Sequence, residues 1–280
     1  MQTIESIPLL RETVHLWRMA GETVAFVPTM GNLHAGHLCL VEEAKQYADR
    51  VVVSIFVNPT QFSAGEDFVA YPRTPEDDAE KLREAGTDLL FLPRAEEVYA
   101  KVDITFVEVP GISDDLCGKF RPGHFRGVAT VVCKLFNMVQ PDVAVFGEKD
   151  WQQLTVIRHM VADLNLALRI VGIPTVREPS GLAMSSRNAY LSDDEKQRAA
   201  ALHRCLLASA SMLEAGVRDY AAIEAAQAET LRGEGFRVDY FAVRRLDDLA
   251  EPTPSDCNWV VLVAAWLGRA RLIDNISLSL

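Results

Sequence analysis

Residues 23–57 read TVAFVPTMGNLHAGHLCLVEEAKQYADRVVVSIFV, and this stretch decides the fold. Its first segment, TVAFVP at 23–28, is a short apolar run with the length of a buried strand. A loop holding Gly31 and Gly36 follows. Leu38, Val41, Ala44 and Ala48 then recur at helical spacing. VVVSIFV at 51–57 is dense in β-branched side chains and reads as a second strand. Strand, helix and strand in succession imply two parallel strands joined by a right-handed crossover.

The pattern recurs downstream. A helix near 75–85, stopped at Gly86, leads to DLLFLP, and a helix near 127–139 leads to DVAVFG. A further helix over about 150–163 precedes LALRIVGIP. Strands alternating with helices predict an α/β fold with a Rossmann-like, doubly wound parallel sheet over residues 1–176. After Gly172 the composition shifts. IPTVREPSGLAMSSRN holds two prolines, three serines and a glycine, and reads as a linker or mobile loop. Ser192 and Glu195 have capping-box spacing, and a helix is expected near 219–232. FRVDYFAVR, NWVVLVAAWLG and RARLID read as strands, the last two joined at Gly268-Arg269. Residues 177–280 are therefore expected to form a smaller C-terminal α+β domain carrying the mobile MSSR loop.

Composition narrows the function. With 280 residues, 49% of them hydrophobic and 24% charged, the chain has the balance of a globular protein. No apolar run reaches the ~18–20 residues of a membrane span. The first residues show no basic stretch followed by an apolar one, so no secretory leader is expected. The five cysteines are scattered without a C-x-x-C pair, as in the reduced, mostly buried thiols of a cytoplasmic protein. A net charge of −11 argues against a nucleic-acid partner, but not against a small anionic ligand.

Ligands of an open parallel sheet gather outside the carboxyl ends of its strands. Four unusual segments fall there: PTMGNLHAGH, NPTQF, FGEKDWQQ and AMSSRN. In the first, Gly31 permits a tight turn and Gly36 lets another group approach the helix start. Free N–H groups and the helix dipole there would favour phosphate. His34 and His37 share a face if the helix has begun by His34, and each donates from both nitrogens when protonated. They also read as mere decoration of a turn; a zinc site is the weaker reading, because H-E-x-x-H is lacking. Neither G-x-G-x-x-G nor a Walker lysine is present. Lys149 reads as a phosphate-binding cation or as one charge of a solvated cluster.

PTMGNLHAGH resembles the H-x-G-H signature of the nucleotidyltransferase superfamily, and AMSSRN resembles its second, mobile phosphate-binding motif. VVVSIFVNPTQF, RPGHFRGV, FGEKDWQQL, GLAMSSRNAYL and AAWLGRARLIDN are similar to the pantothenate synthetase (pantoate–β-alanine ligase) family. The likeness runs in order through most of the chain. It implies an amide-forming, AMP-releasing ligase that joins (R)-pantoate to β-alanine through pantoyl adenylate, with ATP and Mg²⁺. It also implies a homodimer. A superfamily member that adenylylates a phosphate ester is the alternative enzyme; such chains are usually shorter, and paired Gln61 and Gln153 suit a hydroxy acid better. A nucleotide-binding sensor is the non-enzymatic alternative.

The resemblance assigns Met30, Gly31, Asn32, Leu33, His34, Ala35, Gly36 and His37 to ATP. To these it adds Gly147, Glu148, Lys149 and Asp150, then Val176, Met184, Ser185, Ser186 and Arg187. His34, His37 and Lys149 would stabilise charge during catalysis, with His37 as proton donor. Gln61 and Gln153 would hold pantoate, and Gln61 also β-alanine. Mg²⁺ would be held mainly through ATP phosphates, with no protein ligand assigned. Asp77 and Asp78 read either as helpers of the metal or, preferably, as a helix start. Arg121, His124 and Arg126 sit in a segment that is either a structural loop held by Gly123 and Gly127 or a pantoate- or dimer-contacting element. Where the family usually shows L-E-G, this chain has Leu116-Cys117-Gly118, which suggests a semi-exposed thiol near the site.

Overall fold

A computed structural model describes residues 1–62, 66, 68–99 and 105–280. The chain opens with strand β1 (Gln2–Ile4) and helix α1 (Ile7–Met19), then runs β2 (Val24–Thr29), α2 (Ala35–Ala44), β3 (Arg50–Ile55). Next come α3 (Pro75–Glu84), β4 (Leu89–Phe91), α4 (Ala95–Val98), α5 (Cys117–Phe120), α6 (His124–Val139). The sheet is completed through β5 (Val143–Gly147), α7 (Trp151–Asp163) and β6 (Arg169–Ile173). The remainder is α8 (Asp193–Ala199), α9 (Ala201–Glu214), α10 (Tyr220–Gly233), β7 (Arg237–Arg245), β8 (Asn258–Leu267) and β9 (Ala270–Ser279).

The first sheet has the order β1-β4-β3-β2-β5-β6, with every pairing parallel. Its strands are apolar on both faces because helices cover both. In β2, Val24 and Phe26 enter one core, while Ala25 and Val27 enter the other. β2 pairs with β3 on one side and with the much later β5 on the other. The winding reverses at that pair, so a crevice opens at the carboxyl ends of β2 and β5. The histidine loop follows β2, and GEKD follows β5.

β7, β8 and β9 form an antiparallel sheet, with Leu267 opposite Ala270 across the expected two-residue turn. Gly268 there has φ +54. One face of this sheet buries Phe241, Trp259 and Val261 against Leu202, Leu206 and Ile223. A fourth cluster joins the two sheets, with Trp151 at the start of α7 packed among Ala242, Val260 and Leu262.

No strand or helix is expected from the sequence before residue 23, yet β1 forms one edge of the sheet and α1 packs into its core through Leu10 and Val14. The helix expected near 127 begins earlier, at His124, and the helix expected near 150 begins at Trp151. The capping box stands: Ser192 accepts from the Glu195 amide, and Glu195 accepts from the Ser192 amide. Only Cys117 and Cys205 are buried; Cys39 and Cys133 are half-buried and Cys257 is exposed, which corrects the expectation of mostly buried thiols. Among the described residues, no helix is long and apolar enough to cross a membrane.

Candidate active site

The loop after β2 needs two consecutive left-handed residues, Gly31 at φ +80 and Asn32 at φ +50. A side chain on Gly31 would be strained there, and its Cβ would lie 3.0 Å from Ile55 Cγ2 and 3.1 Å from an Asp78 carboxylate oxygen. That carboxylate corrects the sequence reading of the loop amides. The Asn32 and Leu33 amides, expected to be free for phosphate, donate to Asp78 at 2.8 and 2.7 Å. Asp78 lies in the first turn of α3, as the preferred reading has it, and is in addition buried and committed to the loop.

His34 is the N-cap of α2, and its Nδ1 accepts from the Gly36 amide at 3.2 Å. Gly36 is required because a Cβ would lie 2.9 Å from the His34 ring. His37 reciprocates: its Nδ1 accepts from the His34 amide at 3.3 Å, and the ring centroids are 4.1 Å apart. The two imidazoles do share a face, although the helix starts at Ala35. Burial, then the charge of Lys149, pushes His34 down to about 4. Burial, then His34 and Lys149, pushes His37 down to about 3. Both rings are neutral at pH 7. With Nδ1 accepting, each proton resides on Nε2, so donation from two nitrogens is not available in this state.

GEKD continues β5 as a single 3-10 turn over Glu148–Asp150. Lys149 Nζ stands 3.6 Å from Asp150. The turn is held from the other sheet, where Asn275 Nδ2 donates to the Glu148 and Lys149 carbonyls at 2.9 and 2.8 Å. Asn275 is set by its neighbour Asp274, which forms a buried bidentate pair with Arg177 at 2.7 and 3.0 Å. The segment around AMSSRN is therefore no open linker. Met184 N donates to Val176 O at 3.0 Å, Arg177 bridges Ala183, and Asn188 donates to Glu178 at 2.9 Å. Ser185 caps the turn of residues 186–190, and Ser186 Oγ reaches Asn32 O at 3.4 Å, joining this segment to the histidine loop.

Gln61 is buried, not a surface turn residue. Its amide donates to Met30 Sδ at 2.8 Å and accepts from Asn58 at 3.1 Å, which uses one N–H and one lone pair of a group with two of each. Its carbonyl accepts from His124 Nδ1 at 2.7 Å and Arg121 at 3.3 Å, and Arg121 pairs with Glu66 at 2.6 Å. Gly127 lets α6 pack against this turn, since a Cβ would meet Thr60 O at 2.3 Å. RPGHFRGV thus supports Gln61.

A cavity of about 540 Å³ lies between the two sheets, walled by Lys149, Asp150, Gln153, Ser185 and Arg187 together with Arg121, His124, Tyr240 and Arg271. Cys117 lines it too, but is buried and within 3.5 Å of Arg271, which corrects the expectation of a semi-exposed thiol. His34, His37, Met30 and Gln61 are not among its walls; the charge of Lys149 links it to both imidazoles. Sequence reasoning missed Asn58, Gln152 and Asn275, and it singled out Asp78 without its role on the histidine loop. Gln152, next to Gln153, turns inward, donating to the Ile112 and Asp115 carbonyls at 2.7 and 2.8 Å and accepting from the Cys117 amide at 3.0 Å.

Comparison with known proteins identifies the family and agrees with the fold. A family described as pantoate-β-alanine ligase matches residues 2–277. Pantothenate synthetases of Methylococcus capsulatus and Shewanella amazonensis are each 61% identical; both matches cover 100% of this chain, and 99% and 100% of the relatives. The crystal structure of pantothenate synthetase from Thermus thermophilus superposes with TM-score 0.92 at 46% identity, over 99% of each chain. A pantoate-β-alanine ligase from Francisella tularensis, solved in complex with β-γ ATP and β-alanine, gives TM-score 0.83 at 32% identity, over 99% of this chain and 97% of its own.

Proposed function

The chain belongs to the pantoate–β-alanine ligase family, and from that premise we propose how its own residues carry the reaction. It condenses pantoate with β-alanine at the expense of ATP, forming pantothenate. A carboxylate and an amine form only a salt at neutral pH, because the carboxylate is a poor electrophile. Attack of the pantoate carboxylate on the α-phosphorus gives pantoyl adenylate and pyrophosphate. The β-alanine amine then displaces AMP from the acyl carbon. Two anions meet in the first step, so the protein must supply positive charge and alignment.

The observation that carries this reading is the convergence of three polar segments at the β2/β5 reversal, joined by the Ser186–Asn32 bond and by the reach of Lys149 to both imidazoles. Lys149 meets the α-phosphate as it becomes five-coordinate. His34 and His37 donate through Nε2–H to the phosphates, and Ser185, Ser186 and Arg187 take the outer ones. His37 acts as a neutral donor. Preorganised donors of this kind are worth about 2.7–4 kcal/mol each. Backbone of Gly31, Gly147 and Val176 borders the nucleotide, while Asp150 meets the ribose or orients Lys149. Gln61 and Gln153 hold pantoate, Gln61 also facing β-alanine, and alignment contributes about 7–11 kcal/mol.

The donor set suits a Mg²⁺ that arrives with the nucleotide. The Asp78 carboxylate is committed to two amides and Asp150 stands beside Lys149, so phosphate oxygens and water would supply most of the ion's hard ligands. The ion supplies charge neutralisation on the triphosphate. We also propose that the chain divides into units of residues 1–176 and 177–280. From the same resemblance we infer a cytoplasmic homodimer.

The test is an assay with ATP and Mg²⁺ in which pantoate and β-alanine are omitted in turn. AMP accumulates over many turnovers only when both acids are present. Equal AMP release without β-alanine contradicts the two-step reading.

A further inference from the structure

We propose that Asp78 and Lys81 of α3 are positioning residues that fix where on the histidine loop the triphosphate sits. The inference rests on the reading of the site given above. Two successive amides of a left-handed turn form a concave nest that ordinarily takes an anion. Here the nest of Asn32 and Leu33 is filled by the protein's own carboxylate, with one oxygen on each amide at 2.8 and 2.7 Å. Asp78 is 1% exposed, so the nest is closed to solvent on that side. One helical turn later, Lys81 Nζ donates to the Leu33 carbonyl at 2.9 Å. A single turn of α3 thus holds three polar backbone groups of the loop, the Asn32 and Leu33 amides and the Leu33 carbonyl.

Two consequences follow from charge and geometry. A phosphate cannot share the nest with a buried carboxylate, because like charges so close repel strongly. The triphosphate is thereby turned toward the imidazole Nε2–H groups and Lys149. Leu33 also directly precedes His34, the N-cap whose ring holds Gly36 and whose amide holds His37. A shift of the Leu33 amide therefore displaces both imidazoles. Lys81 is close enough for its charge to act on both rings. Gln61, on the pantoate side, is fixed by Asn58, His124 and Arg121 and meets the loop at Met30 Sδ, ahead of the residues that α3 holds.

The test uses the full chain with Asp78→Asn and, separately, Lys81→Met. An amide offers one acceptor oxygen to two N–H donors and turns its own NH₂ at the other. D78N is expected to lower kcat/KM for ATP by about tenfold or more while KM for pantoate stays within about twofold. K81M, at a half-buried position, is expected to act in the same direction by about three- to fivefold. In nucleotide-free protein, the ¹⁵N imidazole signals of His34 and His37 should move in D78N while those of His124 do not. A loss shared equally by ATP and pantoate, or no loss, overturns the proposal. So do unmoved His34 and His37 signals. If D78N does not fold, K81M decides on the same kinetic criterion. Wild-type protein lacking pantoate- and β-alanine-dependent AMP release contradicts the proposed reaction instead, and the imidazole signals still decide the positioning.

Discussion

Asn275 donates to the Lys149 carbonyl at 2.8 Å, so a strand of the antiparallel sheet fixes the backbone of the cation at the end of β5. The same amide group also holds the Glu148 carbonyl at 2.9 Å. The backbone of the GEKD turn thus depends on β9 of the antiparallel sheet being in place. Asn275→Ala should lower thermal stability by about 1–3 kcal/mol and raise KM for ATP. Asn275→Asp should be worse, because it sets an acceptor against two carbonyls. Calorimetry and ATP kinetics on both variants check the order; an aspartate variant better than alanine would sink it.

Lys149→Ala should slow adenylate formation by about a hundredfold or more with the fold retained. Single-turnover pyrophosphate release measures this step alone. An unchanged rate would remove Lys149 from the chemistry.

Gln61→Ala should raise KM for pantoate well above any change for ATP, since the backbone of the histidine loop is held by Asp78 while Gln61 touches the loop through the Met30 side chain. It also removes the donor to Met30 Sδ and one of the two acceptors of the Asn58 amide, whose bond to the Gly127 carbonyl remains. Equal losses for the two substrates would contradict the assignment.

His124 predicts the pH dependence of stability. Its Nδ1–H donates to Gln61 O and its Nε2 accepts from Arg121, an arrangement that needs a neutral ring. Burial, then Arg121, pushes it from 6.5 to about 4. The unfolded chain binds the proton first, so this contribution is full above about pH 6.5 and falls as pH drops toward 4. At pH 5 the loss from this group is about 2 kcal/mol. Unfolding curves between pH 7 and 5 should be flatter for His124→Asn, which keeps the donor to Gln61; identical slopes would refute this.

Much of the fold was legible because it is local and periodic. The Leu38, Val41, Ala44 spacing marks α2, and the β-branched run marks β3. The capping box at Ser192 was readable for the same reason. β1, with three residues, has no period to detect, although Leu10, Val14 and Trp17 of α1 carry a signal at i, i+4, i+7. The residues that hold the site were not legible. Asp78 grips amides 45 and 46 positions away, and Asn275 grips carbonyls 126 and 127 positions away. Gln152 and Gln153 are alike in sequence and both line the cavity, but the amide of Gln152 is committed to the Ile112 and Asp115 carbonyls, which sequence alone does not show.

That the histidine loop, the GEKD turn and the AMSSRN segment grip one triphosphate is tested most directly by a crystal structure of the protein with a non-hydrolysable ATP analogue and pantoate. The expected result is phosphate oxygens within about 3.2 Å of Lys149 Nζ and of an imidazole Nε2, with Ser185–Arg187 on the outer phosphates. A nucleotide whose phosphates lie beyond reach of both the imidazoles and Lys149 would contradict the account.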